Sequence, residues 1–152
     1  MDLRVERMRE KRFRTRSVEG TLALGEKIAE ILRPLPMLVV LRGQVGAGKT
    51  TLVKGIATAL GAAGDEEDVT SPTFTLVHEY LNERVHLFHL DLYRLEREEQ
   101  IAVLGLEEML AEPNALVLVE WGERFESVVR LARGEIYMEQ GEGDERGLLV
   151  RW

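Results

Sequence analysis

Residues 37–61 read MLVVLRGQVGAGKTTLVKGIATALG, and the fold turns on this stretch. It opens with five apolar residues, 37–41, a run with the length and β-branched content of a strand buried on both faces. A glycine-rich turn follows. Leu52, Ile56 and Leu60 then recur every four residues, the spacing of one apolar stripe along a helix over 50–60, and Gly61 suits the left-handed position just past its end. A buried strand running through a tight turn into an amphipathic helix predicts α/β architecture with helices packed on a sheet.

Within that turn, Gly43-Gln44-Val45-Gly46-Ala47-Gly48-Lys49-Thr50 matches the phosphate-loop pattern G-x-x-x-x-G-K-[ST] in full. Each part has a physical task. The glycines Gly43, Gly46 and Gly48, with Ala47, let successive backbone N–H groups converge on a phosphate, and the positive end of the following helix adds favourable potential there. Lys49 supplies a point charge for the β and γ phosphates. The Thr50 hydroxyl is placed to bind Mg²⁺. A glycine turn with a solvated lysine is the plain alternative, and the strand before and helix after argue against it.

Working outward, 11–16 reads as a short edge strand. Ser17 caps a helix running to about residue 32, with Leu22, Ile28 and Leu32 facing the core and Pro34 preventing continuation. Downstream, 61–72 is loop-like, 74–81 and 85–92 read as strands around a turn at 82–84, and 96–104 is helical. Gly105 breaks that helix before a short piece at 106–110, and 115–119 is a second buried apolar run. The tail, 135–140 and 148–152 around a loop at 141–147, alternates like a hairpin. The expected fold is a single phosphate-loop NTPase-like α/β domain: a mixed, mainly parallel sheet flanked by helices, with a C-terminal β-hairpin. Residues 1–11 form a basic arm and 12–152 the domain.

Composition excludes several classes. The 152 residues are 45% hydrophobic and 31% charged, the balance of a folded soluble domain. No apolar stretch approaches the roughly 20 residues of a membrane span, so no membrane partner is expected. No secretory signal is visible. The absence of cysteine removes disulfide, thiolate and Cys-zinc chemistry and agrees with a cytoplasmic location. The net charge of −7 is unevenly spread: residues 1–16 carry seven basic and three acidic side chains, leaving −11 on the remaining 136. A body this acidic disfavours independent nucleic-acid binding, so any RNA contact is expected to be indirect or through the basic arm.

Magnesium on a triphosphate is partly held by acidic groups, and two acids terminate apolar strands. Glu120 closes Ala115-Leu-Val-Leu-Val-Glu120, and Asp91 closes Leu87-Phe-His-Leu-Asp91. Ligands of open α/β sheets sit beyond the carboxyl ends of the parallel strands, where Glu120 should lie. No Asn-Lys-x-Asp tetrapeptide for guanine is present, and the only Asp-x-x-Gly, Asp144–Gly147, falls in the tail loop, so adenine is favoured.

Taken together, Gly43–Thr51, Ser71-Pro-Thr-Phe-Thr-Leu76, His89-Leu-Asp-Leu-Tyr-Arg94 and Glu120-Trp121 resemble one family, the bacterial TsaE (YjeE) proteins, in order and spacing. The resemblance spans about residues 12–125. It implies an ATPase required for threonylcarbamoyl modification of adenosine 37 in tRNA, acting on a TsaB–TsaD pair in which TsaD performs the transfer. It further implies that residues 46–51 wrap the phosphates and that Thr50 with Glu120 holds Mg²⁺. Asp91 would position or deprotonate the attacking water. Ser71 and Thr73 would belong to a segment sensing the γ-phosphate, Trp121 would lie by the nucleotide or face a partner, and Val18 and Thr21 would lie on the adenine side. His89, Tyr93 and Arg94 would line the same cleft. One departure is visible: Gln44 stands where the family usually has Asp. Two other readings stay open, a small-molecule kinase, for which Arg124, Arg130 and Arg133 are the downstream lid candidates, and a nucleotide-gated binding module without turnover.

Overall fold

The computed structural model describes residues 8–44, 47–61, 77–81 and 83–152. A seven-stranded sheet in the order β1-β7-β6-β2-β5-β4-β3 forms its centre. Here β1 is Glu10–Thr15, β2 Met37–Gly43, β3 Val77–Leu81, β4 His86–Asp91, β5 Ala115–Glu120, β6 Ala132–Gln140 and β7 Arg146–Arg151. The pairs β6–β2, β2–β5 and β5–β4 are parallel. The outer pairs β1–β7, β6–β7 and β3–β4 are antiparallel. The mixed, mainly parallel core expected from the sequence is therefore present.

Strand β2 lies at the centre because both its faces are apolar. Met37, Val39 and Leu41 join one core with helices α1 (Val18–Ile31) and α2 (Lys49–Ala59). Leu38 and Val40 join the other, with Phe125, Val128 and residues of α3 (Glu98–Ala102) and α4 (Leu106–Leu110). Val39, Val40 and Leu38 are fully enclosed, each worth about 1.5–3 kcal/mol relative to exposure.

Helix α1 starts at Ser17, whose hydroxyl accepts from the Gly20 N–H at 2.9 Å. Its buried stripe is Thr21, Leu24, Gly25, Ile28 and Ala29, with Leu32 enclosed just beyond. Leu24, not Leu22, supplies the first core leucine. Leu22 is half-buried because its backbone lies at the crossing with α2, where a Cβ on Gly55 would sit 2.3 Å from the Leu22 carbonyl oxygen. Only two glycines facing each other, Gly25 and Gly55, permit that approach, which brings α2 close under α1.

The tail differs from the expected hairpin in scope. Strand β6 begins at Ala132 and lies parallel to β2, so the hairpin extends the main sheet. Strand β1 closes the far edge by pairing Glu10 with Arg151 through Thr15 with Arg146. Arg9 also exchanges two backbone bonds with Trp152, at 2.7 and 3.0 Å. The ordered sheet thus takes in residues 9–11, which the charge count assigns to the arm, because β7 would otherwise leave its outer donors and acceptors unpaired. Residues 1–7 lie outside the described residues, as do most of the 61–72 loop and the first part of the 74–81 strand. A helix that the sequence pattern did not reveal, α5 (Glu126–Leu131), bridges β5 to β6. Its six residues are too few to show a period. Among the described residues, no helix is long and apolar enough to cross a membrane.

Candidate nucleotide site

The parallel register places one end of the sheet as a single rim. Leu41 of β2 stands beside Glu120, and Glu120 stands beside Asp91. On the other side, Gly43 stands beside Met138, and the rim continues through Gln140 and Arg146 to Thr15. The glycine loop leaves β2 at this rim and enters α2. Within it Gly43 and Gly48 have φ of 151° and 98°, backbone that favours glycine. Ala47 is enclosed and donates its N–H to the Gln44 carbonyl at 3.0 Å. Gly46 lies outside the described residues.

The first turn of α2 has no side-chain cap among the described residues, in contrast to α1, which leaves its leading N–H groups available at the rim. Lys49 folds back over the loop and donates to the Gly43 carbonyl at 2.7 Å. Its ammonium also stands 3.3 Å from Glu120 Oε1. Thr50 and Thr51 follow on the same turn, partly exposed.

Alternation along β4 and β5 turns Leu87, His89 and Asp91, and Leu116, Leu118 and Glu120, toward α2. Glu120 is 5% exposed, and its Oε2 accepts from His89 Nε2 at 2.7 Å. Burial pushes the Glu120 carboxyl up, but the His89 hydrogen bond and charge and the Lys49 ammonium outweigh it and hold the group below the usual glutamate range. Asp91 moves the other way. Partial burial raises its carboxyl, the Tyr93 N–H bond at 3.0 Å opposes this, and the neighbouring Glu120 charge adds to the rise.

Trp121 follows Glu120 with φ 65°, a left-handed conformation rare for so bulky a residue. Its ring lies 5.5 Å from Lys49 Nζ, 5.2 Å from the Tyr93 ring and 5.1 Å from the Arg124 guanidinium. It therefore walls the lysine. Tyr93 and Arg94 are exposed just beyond. Arg124 donates to the carbonyls of Leu92, Tyr93 and Leu95 at 2.7, 2.8 and 3.1 Å, which fixes the chain as it leaves Asp91.

Four expected site positions fare differently. Ser71 and Thr73 lie outside the described residues. Val18 is 45% exposed at the start of α1, next to the rim end at Thr15. Thr21 is 2% exposed, and its hydroxyl is shared between Thr15 Oγ1 at 2.8 Å and the Ser17 carbonyl at 3.2 Å. The residue lies in the first turn of α1, its hydroxyl tied to Thr15 and to the chain at Ser17.

One residue was missed. A Cβ on Gly48 would meet Arg146 Nε at 3.4 Å, so the guanidinium lies against the phosphate loop. Its Nη1 donates to the Gly143 and Glu145 carbonyls at 2.8 and 2.7 Å. The only sequence signal was an arginine opening a strand after a glycine turn; its place on the rim depends on the β6–β7 register.

The donors here are hard oxygens, from Glu120, Asp91 and the Thr50 hydroxyl, few in number and at one end of the sheet. That set suits Mg²⁺, which keeps several waters and takes further ligands from phosphate, and does not suit an all-protein cage. Among the described residues no group of three or more His, Asp or Glu side chains is arranged as a metal cluster.

The family model described as "Threonylcarbamoyl adenosine biosynthesis protein TsaE" matches residues 15–148. This chain belongs to the TsaE family. A "tRNA threonylcarbamoyladenosine biosynthesis protein TsaE" from Bacillus subtilis (strain 168) is 37% identical over 139 residues, 91% of this chain and 84% of the relative. A protein of the same name from Nostoc sp. (strain PCC 7120) is 44% identical over 109 residues, covering 70% of this chain and 64% of the relative's length. Among solved structures, that of Bacillus "subtilus" YdiB superposes with a TM-score of 0.69 at 28% identity, over 95% of this chain and 86% of that one. The match reaches residue 148, so the TsaE fold includes the hairpin that brings Arg146 to the loop.

Proposed function

We propose that this chain is a magnesium-dependent ATPase that supports threonylcarbamoyl modification of tRNA adenosine 37 in the cytoplasm by acting on a TsaB–TsaD pair. The observation that carries the ATPase reading is the uncapped turn of α2 with Lys49 held between Gly43 and Glu120 at one sheet rim. The names of the curated relatives support the pathway, and the family resemblance supports the partners.

On binding, Lys49 exchanges the Gly43 carbonyl and the Glu120 carboxylate for β and γ phosphate oxygens, while the leading amides of α2 take the remaining charge. Mg²⁺, when bound, neutralises phosphate charge, and Thr50 and Glu120 would hold it. Asp91 orients the attacking water at the γ-phosphate and accepts its proton, a task favoured by a carboxyl raised above the usual aspartate range. Arg146 adds positive charge on the β6–β7 side of the loop, and exposed Val18 offers apolar surface for a base at the same side.

Two of the three lid arginines of the kinase reading are placed elsewhere. Arg124 is committed to three backbone carbonyls, and Arg130 pairs with Glu126 on α5, whose Val128 packs on the sheet face opposite α2. Lys49→Ala is the direct test. Loss of one charge-assisted contact to phosphate lowers ATP affinity roughly 10- to 100-fold by calorimetry. It also lowers t6A formation in a reaction of tRNA, threonine, bicarbonate, ATP and the partner proteins. Unchanged binding would overturn the proposal, and so would transfer of label from ATP to a small acceptor.

A further inference from the structure

His89 sits in the middle of an otherwise apolar strand and is 0% exposed. Leu87, Phe88 and Leu90 around it show that the position takes hydrocarbon readily. Its Nδ1 has no hydrogen-bond partner among the described residues. Burying an imidazole with one nitrogen unpaired is unfavourable, so core packing does not favour histidine here. Its one side-chain hydrogen bond among the described residues is the 2.7 Å bond to Glu120 Oε2. A carboxylate acceptor assigns the proton of that bond to Nε2.

We infer that His89 is a positioning residue that holds Glu120 in place when Lys49 leaves it. In the resting chain Glu120 has two anchors, Lys49 on Oε1 and His89 on Oε2. Once Lys49 moves to phosphate, His89 is the remaining side-chain anchor among the described residues. A glutamate freed of both has three side-chain torsions to explore and a driving force to follow the ammonium. With Oε2 pinned, Oε1 keeps its direction into the space that Lys49 vacates, ready for the magnesium ion or one of its waters. Outer partners of this kind orient metal-binding carboxylates, and their loss typically costs 10- to 100-fold in metal affinity. This role rests on the proposed Mg²⁺·ATP site.

Calorimetry of ATP binding, with Mg²⁺ and separately with EDTA, tests it on the full chain. His89→Leu is expected to lower affinity about 10- to 100-fold in Mg²⁺ and to leave affinity in EDTA unchanged, because the loop amides and Lys49 are intact. His89→Gln, whose amide N–H reaches the Nε2 position, is expected to restore the Mg²⁺-dependent part, and the shorter His89→Asn is not. Where His89→Leu fails to fold by circular dichroism, the Gln and Asn variants decide, since both are polar and differ in reach. Equal loss in Mg²⁺ and EDTA, or Gln and Asn behaving alike, would overturn the role. Glu120→Ala separates the two levels. If it abolishes the Mg²⁺ dependence while His89→Leu does not, only the positioning role falls; if it leaves that dependence intact, the magnesium site falls with it.

Discussion

Strands β4 and β5 run side by side and end on acids in register, Asp91 against Glu120, yet the two carboxylates live in opposite environments. Glu120 is enclosed and bonded on both oxygens, by Lys49 and His89, and its carboxyl lies below the usual range. Asp91 is half-exposed, takes one backbone N–H, and its carboxyl lies above the usual range. A charge that the fold supports suits a cation, and a charge that the fold resists suits a proton. In the proposed function, two neighbouring acids pushed apart in this way would divide the work of ligand and base.

The largest effect expected from breaking this division is on turnover. Asp91→Asn keeps the shape and the Tyr93 bond but cannot accept a proton. Phosphate release, measured with the partner proteins present, is expected to fall roughly 10²–10⁴-fold, with Mg²⁺·ATP affinity retained. An unchanged rate would reassign the base, or would favour the gated binding module in which turnover is not needed.

A smaller effect, but one of opposite sign at the two positions, is expected in stability. Glu120→Gln leaves the buried Lys49 ammonium with a weaker partner, a loss of about 1–3 kcal/mol, read as a Tm lowered by several degrees. Asp91→Asn removes a charge that the fold disfavours and is expected to raise Tm slightly, as is common where a site residue is retained for activity at a cost in stability. Thermal melts without nucleotide check both. Shifts of the same sign would show that the two environments do not differ as their contacts imply.

The sequence made half of this site legible and hid the rest for identifiable reasons. Residues 37–61 announced strand, loop and helix because each signal is local: an apolar run, a glycine turn and a four-residue period. Asp91 and Glu120 were legible as acids ending apolar runs. That they are neighbours, and that His89 reaches Glu120 across 31 residues of sequence, depends on strand order and register, which no local pattern encodes. Arg146 was hidden in the same way, its side chain meeting Gly48 only because β7 pairs beside β6. The Thr21 hydroxyl's bonds to Thr15 and to the Ser17 carbonyl were hidden likewise, because they depend on how β1 meets α1. Helix α5 was too short to show a period.

The finest test of the comparison is the acid limb of stability. For Glu120 the folded carboxyl lies below its unfolded value, so its stabilisation is complete above the unfolded value and is lost as pH falls through the folded one. For Asp91 the folded carboxyl lies above its unfolded value. Its penalty is therefore complete above the folded value and is relieved as pH falls from there to the unfolded one. Acidification from neutrality therefore brings an Asp91 relief and a Glu120 loss, of opposite sign. Relative to the unsubstituted chain, Asp91→Asn should remove the gain and so steepen the net fall. Glu120→Gln should remove the loss and flatten it. Urea midpoints measured from neutral pH downward would show these two difference curves bending in opposite directions. If they run parallel, the acids titrate as one environment, and the assignment of ligand to Glu120 and base to Asp91 loses its electrostatic basis.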